Sequence, residues 1–293
     1  MTILDVERTF MKVIRQIISF ALILLLLAVV WETFKWVGGD PWRPDTNPFS
    51  ISHNPPFRIK QASDLNLPHL WDIFSAFGNE SRRNGPPLIQ TLASASLFTF
   101  REAITGFVLG GFLGLFLGTL FAHVPLLNRG CMPYVVASQT VPILAIAPMV
   151  IIWLKAGWVS VAVISAYLTF FPVTINTLRG LLSPDPTTIE LMRSYAASWW
   201  DVLWKVRFPA ALPSIFTAFK ISATASVVGA IIGELPSGIR DGLGGAILNF
   251  NSYYITGPER LWAAIIASSV VGIAFYLIVA AAETVFLRNR KAT

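Results

Sequence analysis

What most constrains this chain is a series of apolar runs, separated by short links and by one long polar interruption. A run of about 20 residues crosses a bilayer as a helix, because a rise of roughly 1.5 Å per residue covers the roughly 30 Å hydrocarbon core. Six such runs are legible, at residues 17–37, 88–121 (spanning from about 100), 131–153, 158–178, 214–234 and 261–286. The expected fold is all-α and polytopic, with six transmembrane helices. Composition agrees: 54% of the 293 residues are apolar, and 13% are charged. The formal charge of +6 does not point to nucleic acid, since the basic residues lie mainly beside the apolar runs. A single Cys131 excludes an intrachain disulfide, and His53, His69 and His123 are too scattered for a metal site. The residue pattern contains no catalytic constellation.

Between the fourth and fifth runs lies the polar interruption, residues 184–213, which reads as two short helices joined tightly. Asp185 caps the first, with Pro186 at the position where a missing N–H is harmless. Ser198 and Asp201 have the spacing of a capping box for the second. On that helix Trp199, Leu203 and Val206 share a face, while Asp201 and Lys205 form an i,i+4 pair on another. Pro209 and Pro213 punctuate the start of the fifth run. A helix pair that is apolar on one side and charged on the other, at the membrane edge, suits docking onto a soluble partner.

This stretch resembles the EAA loop of ABC importer permeases, whose pattern is Glu-Ala-Ala, three residues, Gly, nine residues, then Ile-x-Leu-Pro. Glu190 takes the acid, Ala196 the glycine, and Val206, Arg207, Phe208 and Pro209 the closing tetrapeptide. Leu191 and Met192 replace the alanines, and Ala196 is a departure, because alanine resists the positive φ that a glycine at a turn permits. The runs VASQTVPILAIAPMVIIWL, FFPVTINTLRGL and GELPSGIRDGLGGAIL resemble the nitrate/sulfonate/taurine branch, which includes permeases for pyrimidine and flavin precursors of vitamins. The resemblance covers residues 88–287. It implies a type I importer permease in the bacterial inner membrane. Its coupling residues would be Glu190, Arg193, Ala196, Ser198, Val206, Phe208 and Pro209. It further implies partner ATPase subunits that hold the ATP, a second permease chain that is an identical copy, and an external substrate-binding protein. No cofactor is expected in this chain, whose sequence lacks the G-x-x-x-x-G-K-[ST] phosphate loop.

The remaining segments sort around this layout. Residues 1–37 form an inside N-terminus and a retained first span, with Glu32 and Lys35 as an i,i+3 pair near its outer end. Residues 38–87, rich in Pro, Asn and Ser, read as an outside loop without a core of its own, available to an external partner. Within it Leu70, Trp71, Phe74 and Phe77 give a short amphipathic helix. In the second run Gly106, Gly110, Gly114 and Gly118 recur every four residues, a ridge suited to helix packing at backbone distance; a flexible hinge is the other reading. The third run carries Pro133, Pro142 and Pro148, with Ser138, Gln139 and Thr140 just before Pro142. Freed carbonyls and polar side chains make these four residues the candidate pathway lining; alternatively, the hydroxyls bond their own backbone in a kinked packing helix. Lys220 lies one turn inside the fifth run and can snorkel; Glu234 ends that run, facing a Gly-rich turn at residues 236–245. Residues 288–293 form a basic inside tail. Basic residues concentrate on the side of both termini and the 184–213 loop, which places all three in the cytoplasm.

The function expected is a permease subunit that forms the translocation path and couples it to a separate ATPase. Its substrate would be a small organic or oxyanion solute. An ion-coupled secondary transporter is the alternative; against it, no internal repeat is visible and the ionisable groups cluster near run ends. A membrane anchor using residues 38–87 is a third reading, for which one span would suffice.

Overall fold

The computed structural model describes residues 3–44, 47–82, 84–155 and 157–288. The tail residues Arg290 and Lys291, and the side chains of Arg8, Lys12 and Arg288, on which part of the orientation argument rests, lie outside the described residues. Eleven helices are present among the described residues: α1 (Ile3–Gly38), α2 (Leu70–Ala76), α3 (Leu88–His123), α4 (Pro125–Ser138), α5 (Ile143–Leu154), α6 (Trp158–Leu181), α7 (Pro186–Ser194), α8 (Trp199–Val202), α9 (Phe208–Ser237), α10 (Leu243–Ser252) and α11 (Pro258–Arg288). Five stretches are long and apolar enough to cross a membrane, and α4 with α5 makes a sixth if the bent pair counts as one span.

Two compact units divide the chain: residues 1–88 with 250–263, and 89–249 with 264–293. In the second unit α6 is the central helix. The four ridge glycines of α3 all meet it: a Cβ added at Gly106 would lie 2.4 Å from the Ser165 Cβ, and one at Gly110 2.4 Å from the Ala166 carbonyl oxygen. One at Gly114 would meet the Val173 Cβ at 2.6 Å, and one at Gly118 the Thr177 Cβ at 2.6 Å. The ridge is therefore a packing seam, and the hinge reading has no role. On its other side α6 packs along α9, again at small residues: a Cβ at Gly229 would lie 2.9 Å from the Ser165 Cα, and one at Gly180 2.9 Å from the Ala211 Cα. Ser165 Oγ donates to the Ser226 carbonyl at 2.8 Å across that seam. Between helices in lipid, where no hydrophobic drive operates, such close approach and hydroxyl bonding hold the bundle.

Three expectations are corrected here. The third run is not one straight span, since α4 and α5 meet at 98° across residues 139–142. Pro142 lacks the N–H that a continuing helix would need, and it caps α5 instead. The fifth span does not begin at Ser214, because α8 runs through a π-turn (Leu203–Arg207) directly into α9. Pro209 sits inside this continuous helix, just after the π-turn, so it does not separate loop from span. Lys220 does not snorkel alone: its Nζ meets Glu283 Oε2 of α11 at 2.6 Å, and both side chains are largely buried.

The first unit corrects a fourth. Residues 38–87, joined by the C-terminal end of α1, have a small core of rings. Trp36 stacks on His53 with centroids 3.7 Å apart, and Trp71 stacks on His69 at 4.0 Å. Trp42 presents its edge or face to all four rings, and its backbone pairs with that of His53. Glu32 and Lys35 do not pair with each other. Glu32 accepts from the Leu70 N–H and meets His69 Nδ1 at 2.7 Å, whereas the buried Lys35 donates to Asp64 and to the Leu67 carbonyl. Proline blocks helix and sheet in this segment but not ring stacking, which needs only that a few large side chains converge. The expected short helix is α2.

Candidate functional site

The polar interruption folds as a helix–turn–helix, and each part has a local cause. Asp185 caps α7 by accepting the Thr187 N–H at 2.8 Å; this backbone bond holds its carboxyl below the usual carboxylate range. At the other end of α7 the Ala197 N–H bonds the Met192 carbonyl at 3.0 Å and the Ala196 N–H bonds the Arg193 carbonyl at 2.9 Å. Those two bonds make a Schellman motif with Ala196 at C′, and Ala196 has φ of +53°. The position that is glycine in the EAA pattern is thus the left-handed residue that ends the first helix. Alanine adopts it here despite its Cβ.

Ser198 and Asp201 form the expected capping box, and Asp201 pairs with Lys205 at 2.5 Å. Of the expected apolar face, Leu203 is directed inward, buried among Phe121, Ala122, Leu178, Leu181, Ala211 and Ile215, which ties the loop to α3, α6 and α9, whereas Trp199 stays about half exposed. Val206 and Phe208 are partly buried, and Trp199 meets the His123 ring at 4.7 Å. Arg207 reaches the Ala122 carbonyl at 3.5 Å. Glu190, Arg193, Ala196 and Ser198 are all exposed. Glu190 and Arg193 do not form the i,i+3 pair that their spacing allows. The loop is thus anchored by its second helix and presents its first, with the turn, to solvent.

The candidate pathway residues lie at the α4–α5 bend. Ser138 Oγ donates to the Val135 carbonyl and Thr140 Oγ1 to the Ala137 carbonyl, both at 2.7 Å. Both hydroxyls therefore bond their own helix, and Tyr167 of α6 donates to the Ser138 carbonyl. Gln139 differs: it is exposed, and its side-chain amide has no partner among the described residues. An open groove of about 630 Å³ runs along α4, lined by Asn128, Arg129, Met132, Pro133, Val136 and Ala137.

One polar cluster escaped sequence reasoning. Glu102 and Glu234, at the far end of α9 from the loop, are 0% and 1% exposed. The Gly-rich turn wraps Glu234, whose carboxylate would be 2.3 Å from a Cβ at Gly242. The available signal was the pairing of an acid with several glycines (GELPSGIRDGLGG), which reads equally well as a surface turn.

Residues 106–285 match the family model described as binding-protein-dependent transport system inner membrane component. A riboflavin transport system permease protein of Chloroflexus aurantiacus is 31% identical over 66% of this chain and 71% of its own length. A formylaminopyrimidine transport permease protein of Halalkalibacterium halodurans is 32% identical over 64% of this chain and 73% of its own. A putative aliphatic sulfonates transport permease protein of Bacillus subtilis is 34% identical over 58% and 61%. Among solved structures, an inward-facing MetNI methionine ABC transporter has a chain of the same fold, with TM-score 0.55 at 19% identity, over 67% of this chain and 98% of that one. The chain belongs to the binding-protein-dependent inner-membrane permeases of ABC importers, in their nitrate/sulfonate/taurine-type branch.

Proposed function

We propose that this permease subunit lines half of a translocation path and is driven through its 184–213 loop by a separate ATPase. The carrying observation is the split character of that loop. Leu203 anchors it in the bundle core, while α7 and its Schellman turn stand exposed, with Glu190 and Arg193 unpaired among the described residues. Because α8 is continuous with α9, a push on the loop would move a membrane-spanning helix directly. The path would be completed by a second permease chain, in the simplest case an identical copy, with an external binding protein delivering substrate. The relatives named for riboflavin, formylaminopyrimidine and aliphatic sulfonates support a small organic or oxyanion solute. ATP would be held by the partner, and both termini would face the cytoplasm with the loop.

Within the path, Gln139 is the residue we assign to passing contact with substrate, in preference to Ser138 and Thr140, whose hydroxyls are engaged. The test of coupling is substrate-stimulated ATP hydrolysis and uptake in reconstituted vesicles. Glu190→Lys and Ala196→Trp are each expected to weaken docking or unlink hydrolysis from uptake while the spans stay folded. Wild-type docking and uptake in both variants would remove the loop from the mechanism.

A further inference from the structure

The buried carboxyls of Glu102 on α3 and Glu234 on α9 have unequal surroundings. Glu234 accepts the Thr99 hydroxyl at 2.6 Å and the Gly244 N–H at 2.5 Å. Thr99 is itself oriented, because its Oγ1 accepts the Leu243 N–H at 2.8 Å. Every one of these contacts is a donor aimed at Glu234, the arrangement that favours a carboxylate. Glu102 receives none: both of its oxygens are buried without a donor, and it follows by three residues on α3, hence on the same face, the Thr99 whose hydroxyl bonds Glu234. A buried carboxylate with no donor, next to a second carboxylate, is the costliest arrangement available. A carboxylic acid in the same place can donate its proton toward Glu234 and leaves only a neutral carbonyl oxygen, a far cheaper group to bury, without a donor.

We propose that Glu102 is a proton-binding site: it holds a proton that it shares with Glu234, and this shared proton latches the α9–α10 turn onto α3. The glycines of the turn fit that role. A Cβ at Gly242 or Gly244 would lie within 3 Å of the Glu234 side chain, so the backbone can close over the carboxylate only where side chains are missing. The charged groups beside Glu102 are Arg101 of its own helix and Glu234. The Arg101 guanidinium lies 4.6 Å over the Trp158 ring of α6, and α10 contributes backbone N–H groups. The donors turned toward the pair argue against a metal cation, which would require oxygens.

Gln reproduces a neutral acid at position 102 but removes the negative charge at 234, so the two substitutions separate the roles. In the purified full complex, Glu102→Gln should assemble at wild-type yield. Glu234→Gln should lower folded complex roughly tenfold, the loss expected of charge-assisted bonds. The infrared carbonyl stretch of a buried protonated carboxylic acid should be present in wild type and lost in Glu102→Gln. The proposal is overturned if Glu102→Gln is the more damaging of the two substitutions. It is also overturned if the wild type lacks the protonated-acid band, or if sodium or potassium stabilises wild type but not Glu102→Gln. Where Glu102→Gln fails to assemble, the wild-type spectrum decides.

Discussion

At the residue scale the most informative position is Ala196. The EAA pattern has glycine there, and the structure supplies the reason: it is the C′ residue of a Schellman motif, with φ of +53°. A Cβ in that conformation costs about 1–2 kcal/mol, partly offset by the lower unfolded-state entropy of alanine. Ala196→Gly is therefore expected to steady the loop by roughly 0.5–1 kcal/mol, read as stronger amide-exchange protection at residues 196 and 197. Ala196→Val should do the opposite. Asp185 gives a second residue-scale prediction. Its carboxyl is held low by the Thr187 N–H, so the cap is intact above the ordinary carboxylate range and is lost as pH falls through the lowered value. Asp185→Asn should keep α7, and Asp185→Ala should expose the Thr187, Thr188 and Ile189 amides to exchange.

At the element scale the α3–α6 seam governs assembly of the bundle. Any side chain at Gly110 meets the Ala166 carbonyl, which belongs to backbone and cannot swing aside. Gly110→Leu or Gly114→Leu should sharply reduce folded yield, and even Gly110→Ala should cost about 1–3 kcal/mol, measured by thermal unfolding in detergent. By contrast, Gly130 has open space around it, so Gly130→Ala serves as the control. The Lys220–Glu283 pair joins α9 to α11. Lys220→Met alone should destabilise by about 3–5 kcal/mol, because it strands Glu283; the double replacement Lys220→Met with Glu283→Leu should recover most of that.

At the scale of the whole molecule the question is orientation. Both termini and the 184–213 loop are expected on one side of the membrane, and residues 38–87 on the other. In a Cys131→Ser background, a cysteine at Ser183 should react with an impermeant maleimide only in inside-out vesicles, and one at Asn54 only in right-side-out vesicles. Labelling of both from the same face would reject the topology. A further consequence concerns the first unit: Trp42→Ala removes the ring that touches four others, so it should loosen residues 38–87 by proteolysis.

Much of this protein was determined by sequence alone, where the physics is local. Span lengths follow from the bilayer, the caps at Asp185 and Ser198 from short-range hydrogen bonding, and the glycine ridge from a four-residue period. Other features needed partners distant along the chain. The ring core of residues 38–87 depends on His53 and His69 meeting tryptophans up to 27 positions away (69 minus 42), which proline-rich composition conceals. The 98° bend depends on what α6 offers the freed carbonyls, since three prolines in one run allow either a kink or a break. Glu102 and Glu234 stand 132 positions apart (234 minus 102), each at the end of an apolar run where hydration is the ordinary expectation. Only the packing of α3, α9 and α10 decides that water is excluded there. Burial is a property of the assembled bundle, whereas hydropathy is a property of the segment.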